Sequence, residues 1–256
     1  MVKTCTHCVP SARRRVVLLS IIVLSGVYAR GQTTNTQLWV EYRLNIPFAN
    51  SFNLENAFTY STLFNTPRWR SYEYSPTLVY ALTQNIDLTL GGTVCYTNQF
   101  DNYNTLELRP VVGSRIHITP NRRVLLRLYA RVEQRNFLNL ETDEWDHAMR
   151  PRIRVESLIP INRKSYFEDR LWYGVFDIEL LFTEDDVQER FANRFRGRIG
   201  IGYRVNYTSR FEFLYMNQQS RSGIDDDFSS SDNIFRIRYK HYLRKTKPAK
   251  IPETGN

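Results

Sequence analysis

Beyond residue 31 the sequence holds one cysteine, three histidines and no long apolar run. Each shortage removes a class of protein. Cys95 stands alone there, so the exported chain can form no internal disulfide. Cys5-Thr6-His7-Cys8 resembles half of a zinc site, but no second half follows it. No serine sits in a G-x-S-x-G elbow, and the phosphate-loop, dinucleotide-loop and zinc signatures are missing. No later stretch approaches the roughly 20 apolar residues of a membrane-spanning helix. A true charge surplus is lacking too. The total is +9. Lys3, Arg13, Arg14, Arg15 and Arg30 lie ahead of Gln32 with no acid among them, and the segment after Leu243 is basic again. The span between is nearly neutral, so the basic balance is no argument for nucleic acid.

The one apolar run is at the start. Arg13, Arg14 and Arg15 precede Val16–Val27, and small residues follow at Ala29 and Gly31. That is the layout of a secretory signal peptide spanning 1–31, with export and cleavage before Gln32. No cysteine sits at the expected cleavage site itself, which argues against a lipoprotein. Residues 32–243 then form one domain, and 244–256 a basic tail.

What fills that domain is strict alternation. In Val124–Arg135, Val124, Leu126, Leu128, Ala130 and Val132 share one parity. Arg127, Tyr129, Arg131, Glu133 and Arg135 share the other. A period of two sends successive side chains to opposite faces of a strand. One face is greasy throughout, and the other carries arginines and carboxylates. Too many charges alternate for a soluble core, so the expected fold is an inside-out, all-β, antiparallel transmembrane barrel with a polar, charged lumen.

Eleven strand-like segments can be read, at about 36–45, 52–64, 70–82, 86–98, 104–118, 123–136, 147–159, 170–182, 192–207, 209–217 and 233–243. Short links alternate with longer ones, among which Phe137–Asp146, Thr183–Phe191 and Gln218–Asp232 are acidic. Bacterial single-chain barrels have even strand numbers. The expectation is therefore 10–12 strands, with 12 favoured and the missing one near 32–36 or inside a long loop. Trp39, Tyr74, Trp172, Tyr173, Tyr203 and Phe211 are among many aromatics expected to anchor girdles at the two interfaces.

The polar parity names the lumen. Arg127 and Arg131 lie on the sixth segment, and ladders Arg150/Arg152/Arg154, Arg194/Arg196/Arg198 and Arg236/Arg238 on the seventh, ninth and eleventh. Asp177 and Glu179 on the eighth and Glu212 on the tenth share that phase. If the strands meander, arginine and carboxylate alternate across neighbours, and such cross-strand pairs stabilise. This lumen supports a structural salt-bridge network, a narrow anion-leaning solute channel, or a ligand pocket. An outer-membrane lipid-modifying enzyme is the remaining alternative. His117, His147 and His241 are the only histidines available to it, they fall at separated places, and no catalytic residue stands out. No cofactor or metal is expected.

The chain resembles a family of uncharacterised outer-membrane β-barrels of Gram-negative bacteria, a domain of unknown function, over about 36–243. The resemblance rests on Trp39-Val40-Glu41-Tyr42, Arg150-Pro151-Arg152-Ile153-Arg154, Tyr203-Arg204 and Phe235-Arg236-Ile237-Arg238-Tyr239. It implies fold and location, and no substrate. Outer-membrane lipids, lipopolysaccharide and the barrel-assembly machinery are the expected partners of a monomer, with no nucleic acid.

Overall fold

The computed structural model describes residues 34–48, 51–64, 69–99, 104–120, 123–182, 194–220 and 230–243. The expected signal peptide and tail lie outside them, as do most of the acidic residues expected in the last two long links. Every segment read from alternation is a strand. They are β1 (Thr34–Pro47), β2 (Phe52–Leu63), β3 (Arg70–Ala81), β4 (Ile86–Asn98), β5 (Thr105–His117) and β6 (Leu125–Asn139). β7 (Trp145–Pro160), β8 (Leu171–Leu181), β9 (Arg194–Arg204), β10 (Ser209–Ser220) and β11 (Ser230–Tyr242) complete the set.

These strands form one closed barrel in chain order. Sequential neighbours pair antiparallel, whereas β1 pairs with β11 in parallel, from Thr34↔Ser231 to Asn45↔Tyr242. The twelve-strand expectation is corrected here. β1 is hydrogen-bonded on both edges, to β11 and to β2, so the ring of eleven has no free edge left to fill. An odd count requires one parallel pair. It also puts the start of β1 and the end of β11 at opposite ends of the barrel. Followed pair by pair around the ring, Pro160 of β7 leads back to β7 at Asp146, an offset of fourteen residues. A stagger of this kind is what tilts barrel strands, typically by about 35–45°.

Period two then sorts the side chains. Leu90 is 63% exposed on the outer face, in the company of Val112, Ile199, Phe211 and Phe213. Glu133 is 2% exposed inside, with Arg152, Asp177, Glu179 and Arg238 equally enclosed. The arrangement inverts that of a soluble barrel. On the outside, Tyr74, Phe58, Tyr42, Tyr239, Phe211, Tyr203 and Trp172 are successive register partners across seven strands. Neighbouring rings in this row stack, as in Phe58–Tyr74 at 4.6 Å and Phe211–Tyr239 at 4.7 Å. Because strands tilt, a row along the hydrogen bonds runs obliquely and not as a level belt. Three aromatics expected on the outside have inward parity, Tyr242 among them, which shares the phase of Lys240 and lies under the inward Arg210 at 4.3 Å. Trp39 shares the parity of Glu41 and lines the lumen, and Tyr173 shares that of Asp177 and is fully buried.

The links at the two ends also differ from expectation. β6 and β7 extend each other to leave only residues 140–144 between them, with Asp143 at φ 56°. The β7–β8 link, by contrast, has ten residues, 161–170, and is folded. It sits at the end that also carries the β1–β2, β3–β4, β5–β6 and β9–β10 links, here called the turn end. The opposite end is the loop end.

Candidate functional site: the charged lumen

Alternation delivers the charges to the interior, and register decides which of them meet. Glu133 on β6 faces Arg150 on β7 in register. Its carboxylate accepts from Arg150 at 2.8 Å and forms ion pairs with Arg152 at 2.8 Å and Arg131 at 3.1 Å. Glu179 on β8 sits among Arg131 at 3.5 Å, Arg196 at 3.5 Å, Arg152 at 3.7 Å and Arg198 at 3.9 Å. Asp177 holds Arg198 at 2.6 Å. Glu212 on β10 accepts from Lys240 at 2.6 Å, the Tyr173 hydroxyl at 2.7 Å and Arg238 at 2.8 Å. A carboxylate has about four lone-pair sites and a guanidinium five donors, so such hubs can satisfy several partners at once.

The parallel seam has its own hub. Glu41 on β1 contacts Arg43 at 2.8 Å and, across the seam on β11, Arg238 at 3.0 Å and Arg236 at 3.3 Å. Arg238 therefore bridges Glu41 and Glu212, tying β1, β11 and β10 together. On the other flank Glu107 accepts from Arg109 at 2.7 Å and Arg135 at 2.5 Å, and Arg115 pairs with Glu55 at 3.1 Å.

The lumen is not lined evenly. Strands β2–β4 turn short residues inward, among them Ala57, Thr59, Ser71, Ser75, Thr77, Thr89 and Thr93. Several of these bond each other, as Ser75–Thr93 at 2.8 Å and Ser71 to the Cys95 thiol at 3.1 Å. Strands β6–β11 turn long arginines inward. Between the two walls lies a cavity of about 420 Å³, lined by thirteen arginines and six glutamates.

The turn end is closed differently. Tyr166, from the β7–β8 link, inserts beside Leu125, Leu158, Leu171, Tyr173, Val175 and Leu214 to form an apolar core inside the barrel. Its ring meets Tyr173 edge-on at 5.0 Å. Its hydroxyl accepts from Arg210 at 3.0 Å and its carbonyl from Arg204 at 3.3 Å. Room for the Tyr173 ring comes from Gly202, its register partner on β9, where a Cβ would overlap the ring. Sequence reasoning expected a lumen polar along its whole length and missed this core. Leu158 and Val175 carry the parity of Glu156 and Asp177, which was the available signal. Tyr166 lies in a link, where parity says nothing.

Of the residues expected in the lumen, Arg131, Arg150, Arg152, Arg154, Glu179, Arg194, Arg196, Arg198, Arg236 and Arg238 line the main cavity. Asp177 and Glu212 are buried outside that lining. Arg127 sits apart, 3.4 Å from Glu156, on a smaller cavity of about 280 Å³ at the turn end. The three histidines are dispersed. His117 pairs with Asp87 at 2.8 Å, His147 with Asn136 at 2.8 Å, and His241 with the Tyr42 hydroxyl at 3.1 Å.

No curated protein matches the chain. The family model described as a protein of unknown function (DUF2490) matches residues 36–229, which run from β1 to the approach to β11. An inside-out barrel with a charged interior is thus what its residues build, and the chain belongs to the DUF2490 family of proteins of unknown function.

Proposed function

We propose that this protein is an outer-membrane β-barrel whose lumen admits small anionic solutes from the loop end, as a blind cup more than as a freely open pore. The observation that carries the reading is the excess of arginine over glutamate around the 420 Å³ cavity. Basic linings of this kind favour anions. The apolar core around Tyr166 supports a closed turn end, because Leu171 and Tyr173 inside the barrel are inaccessible to water. The apolar outer face supports lipid as its surroundings. In this reading the chain is exported by a cleaved signal peptide and inserted by the barrel-assembly machinery of a Gram-negative cell. It stands among outer-membrane lipids and lipopolysaccharide as a monomer, with no catalytic role. A purely structural barrel is the second reading, favoured by the number of cations held at Glu133 and Glu179.

The test is planar-bilayer recording of the refolded mature protein in a salt gradient. The cup reading expects little steady current, anion-selective by its reversal potential, that rises in Tyr166→Ala. Selectivity should weaken when Arg152, Arg196 and Arg238 are neutralised. A large cation-selective conductance would overturn it. Silence in both wild type and Tyr166→Ala, with no anion bound, would leave the structural barrel. Lipid exposure has a separate test. Leu128→Arg, on the outer face, should cost about 2–4 kcal/mol and stop assembly, whereas Thr59→Arg, on the inner face, should assemble. Equal behaviour would refute the inside-out placement.

A further inference from the structure

Arg154 and Arg194 are the arginines of the main cavity that join no ion pair among the described residues, and Arg154 is the one stacked on an inward ring. Its register partner on β8 is Glu179, but that carboxylate is already taken by Arg131, Arg152, Arg196 and Arg198. Arg154 enters no ion pair and no hydrogen bond among the described residues. Its guanidinium lies over the Tyr129 ring at 4.0 Å, its Nε has no partner, and it borders the main cavity. Glu156, two residues along the same strand face, and Asp177 and Glu179 on β8 act on it through space, but none of them meets the guanidinium in an ion pair, so its N–H donors stay unmatched by any acceptor among the described residues. The same cavity is bordered by the hydroxyls of Thr59, Thr77 and Thr89, which have no hydrogen-bond partner among the described residues, and by the indole of Trp39.

We propose that Arg154 anchors the oxyanion of a hydroxyl-rich, monosaccharide-sized ligand, a sugar phosphate or a sugar acid. The inference rests on the reading of the lumen as an anion site and adds the ligand's chemical class. Guanidinium binds carboxylate or phosphate through two parallel hydrogen bonds, which a halide cannot accept. A bare inorganic oxyanion would satisfy Arg154 and leave the threonines opposite unused. A ligand carrying its own hydroxyls would meet both walls. The cavity lies within the usual range of small-molecule sites, roughly 300–1,000 Å³, and its lining is too polar for an acyl chain.

Calorimetric titration of the refolded mature protein in a zwitterionic detergent tests this with four probes: glucose 6-phosphate, galacturonate, inorganic phosphate and glucose. The two sugar anions should bind about tenfold or more tighter than phosphate, each tenfold being about 1.4 kcal/mol, and glucose should not register. Arg154→Gln should lose at least about tenfold for both sugar anions, and Arg154→Lys should recover part of it. The Thr59→Val, Thr77→Val double variant should bind glucose 6-phosphate no better than phosphate, with phosphate itself unchanged. Heat-modifiable migration on an unboiled gel shows that each variant is folded. Equal affinity of phosphate and glucose 6-phosphate for wild type would overturn the ligand class while leaving an anion site in the lumen. A wild-type affinity unaltered in Arg154→Gln would overturn the anchor. Binding of none of the anions would bring down this inference together with the anion reading it rests on.

Discussion

The two walls of the lumen are made by the same alternation and behave as different materials. The wall of β6–β11 is filled: its arginines and carboxylates occupy each other's coordination sites, as around Glu133 and Glu179. The wall of β2–β4 is thin, with side chains no longer than threonine over most of its surface and Glu73 held, among the described residues, by Arg109 at 3.7 Å and the Ser75 hydroxyl at 3.1 Å. The cavity therefore lies against the thin wall, and the charge that characterises it comes from the filled one. Side-chain length, and not strand number alone, decides where a barrel of this size has space.

The sharpest way to break this comparison is to make one change on both walls. Glu133→Gln leaves Arg131, Arg150 and Arg152 without their shared carboxylate, in a site 2% exposed. The expected loss is about 3–5 kcal/mol, the cost of stranding buried charge. Glu73→Gln removes one long contact at a side chain 33% exposed to the cavity, and should cost under about 1 kcal/mol. Urea titration of the two variants in micelles, followed by gel mobility of the folded form, measures both. Similar losses would mean that the thin wall is as tightly coupled as the filled one.

A second pair concerns volume. Gly202→Ala pushes a Cβ into the Tyr173 ring at the turn end and should cost about 1–3 kcal/mol by overpacking. Ala57→Leu on β2 projects into the open cavity and should stay within about 1 kcal/mol of wild type. The same titration separates them, and a costly Ala57→Leu would show that the cavity against the thin wall is smaller than its lining implies.

Most of the barrel was legible in the sequence, because a period of two sends successive side chains to opposite faces of a strand whatever lies on either side. Arg150, Arg152 and Arg154 announce their shared face by spacing alone. The closure was not legible. Even strand number is a rule about antiparallel rings, and β1 escapes it by pairing with β11 in parallel, a long-range choice that leaves no local mark. Trp39 and Tyr173 were misplaced for another reason. Their parity with Glu41 and Asp177 puts them inside, against the interface position that aromatic residues commonly take in barrels. Tyr166 carried no pattern at all, since a link residue has no face until the fold supplies one. The pairing of particular arginines with particular carboxylates followed from strand order once the meander was assumed, but the isolation of Arg154 did not. Four other arginines stand within 4 Å of Glu179 while Arg154, its register partner, lies over the Tyr129 ring instead, and which side chains reach a carboxylate is a matter of three dimensions.

The smallest expected effect lies within the thin wall itself. Thr93→Val replaces a hydroxyl by a methyl of nearly the same shape and removes the 2.8 Å hydrogen bond to Ser75. Ser75 retains the Glu73 carboxylate at 3.1 Å as an acceptor for its own proton, so no donor is stranded. The loss should be about 0.5–1.5 kcal/mol at most, the net worth of one ordinary hydrogen bond. Ser75→Ala in the Thr93→Val background should then add little beyond the Glu73 contact, and a double-mutant cycle on the two positions reads their coupling directly. A coupling well above that range would mean that Ser71, Ser75, Thr93 and Cys95 act as a cooperative network, so that the thin wall, too, would be held by its interior and not only by its backbone ladder.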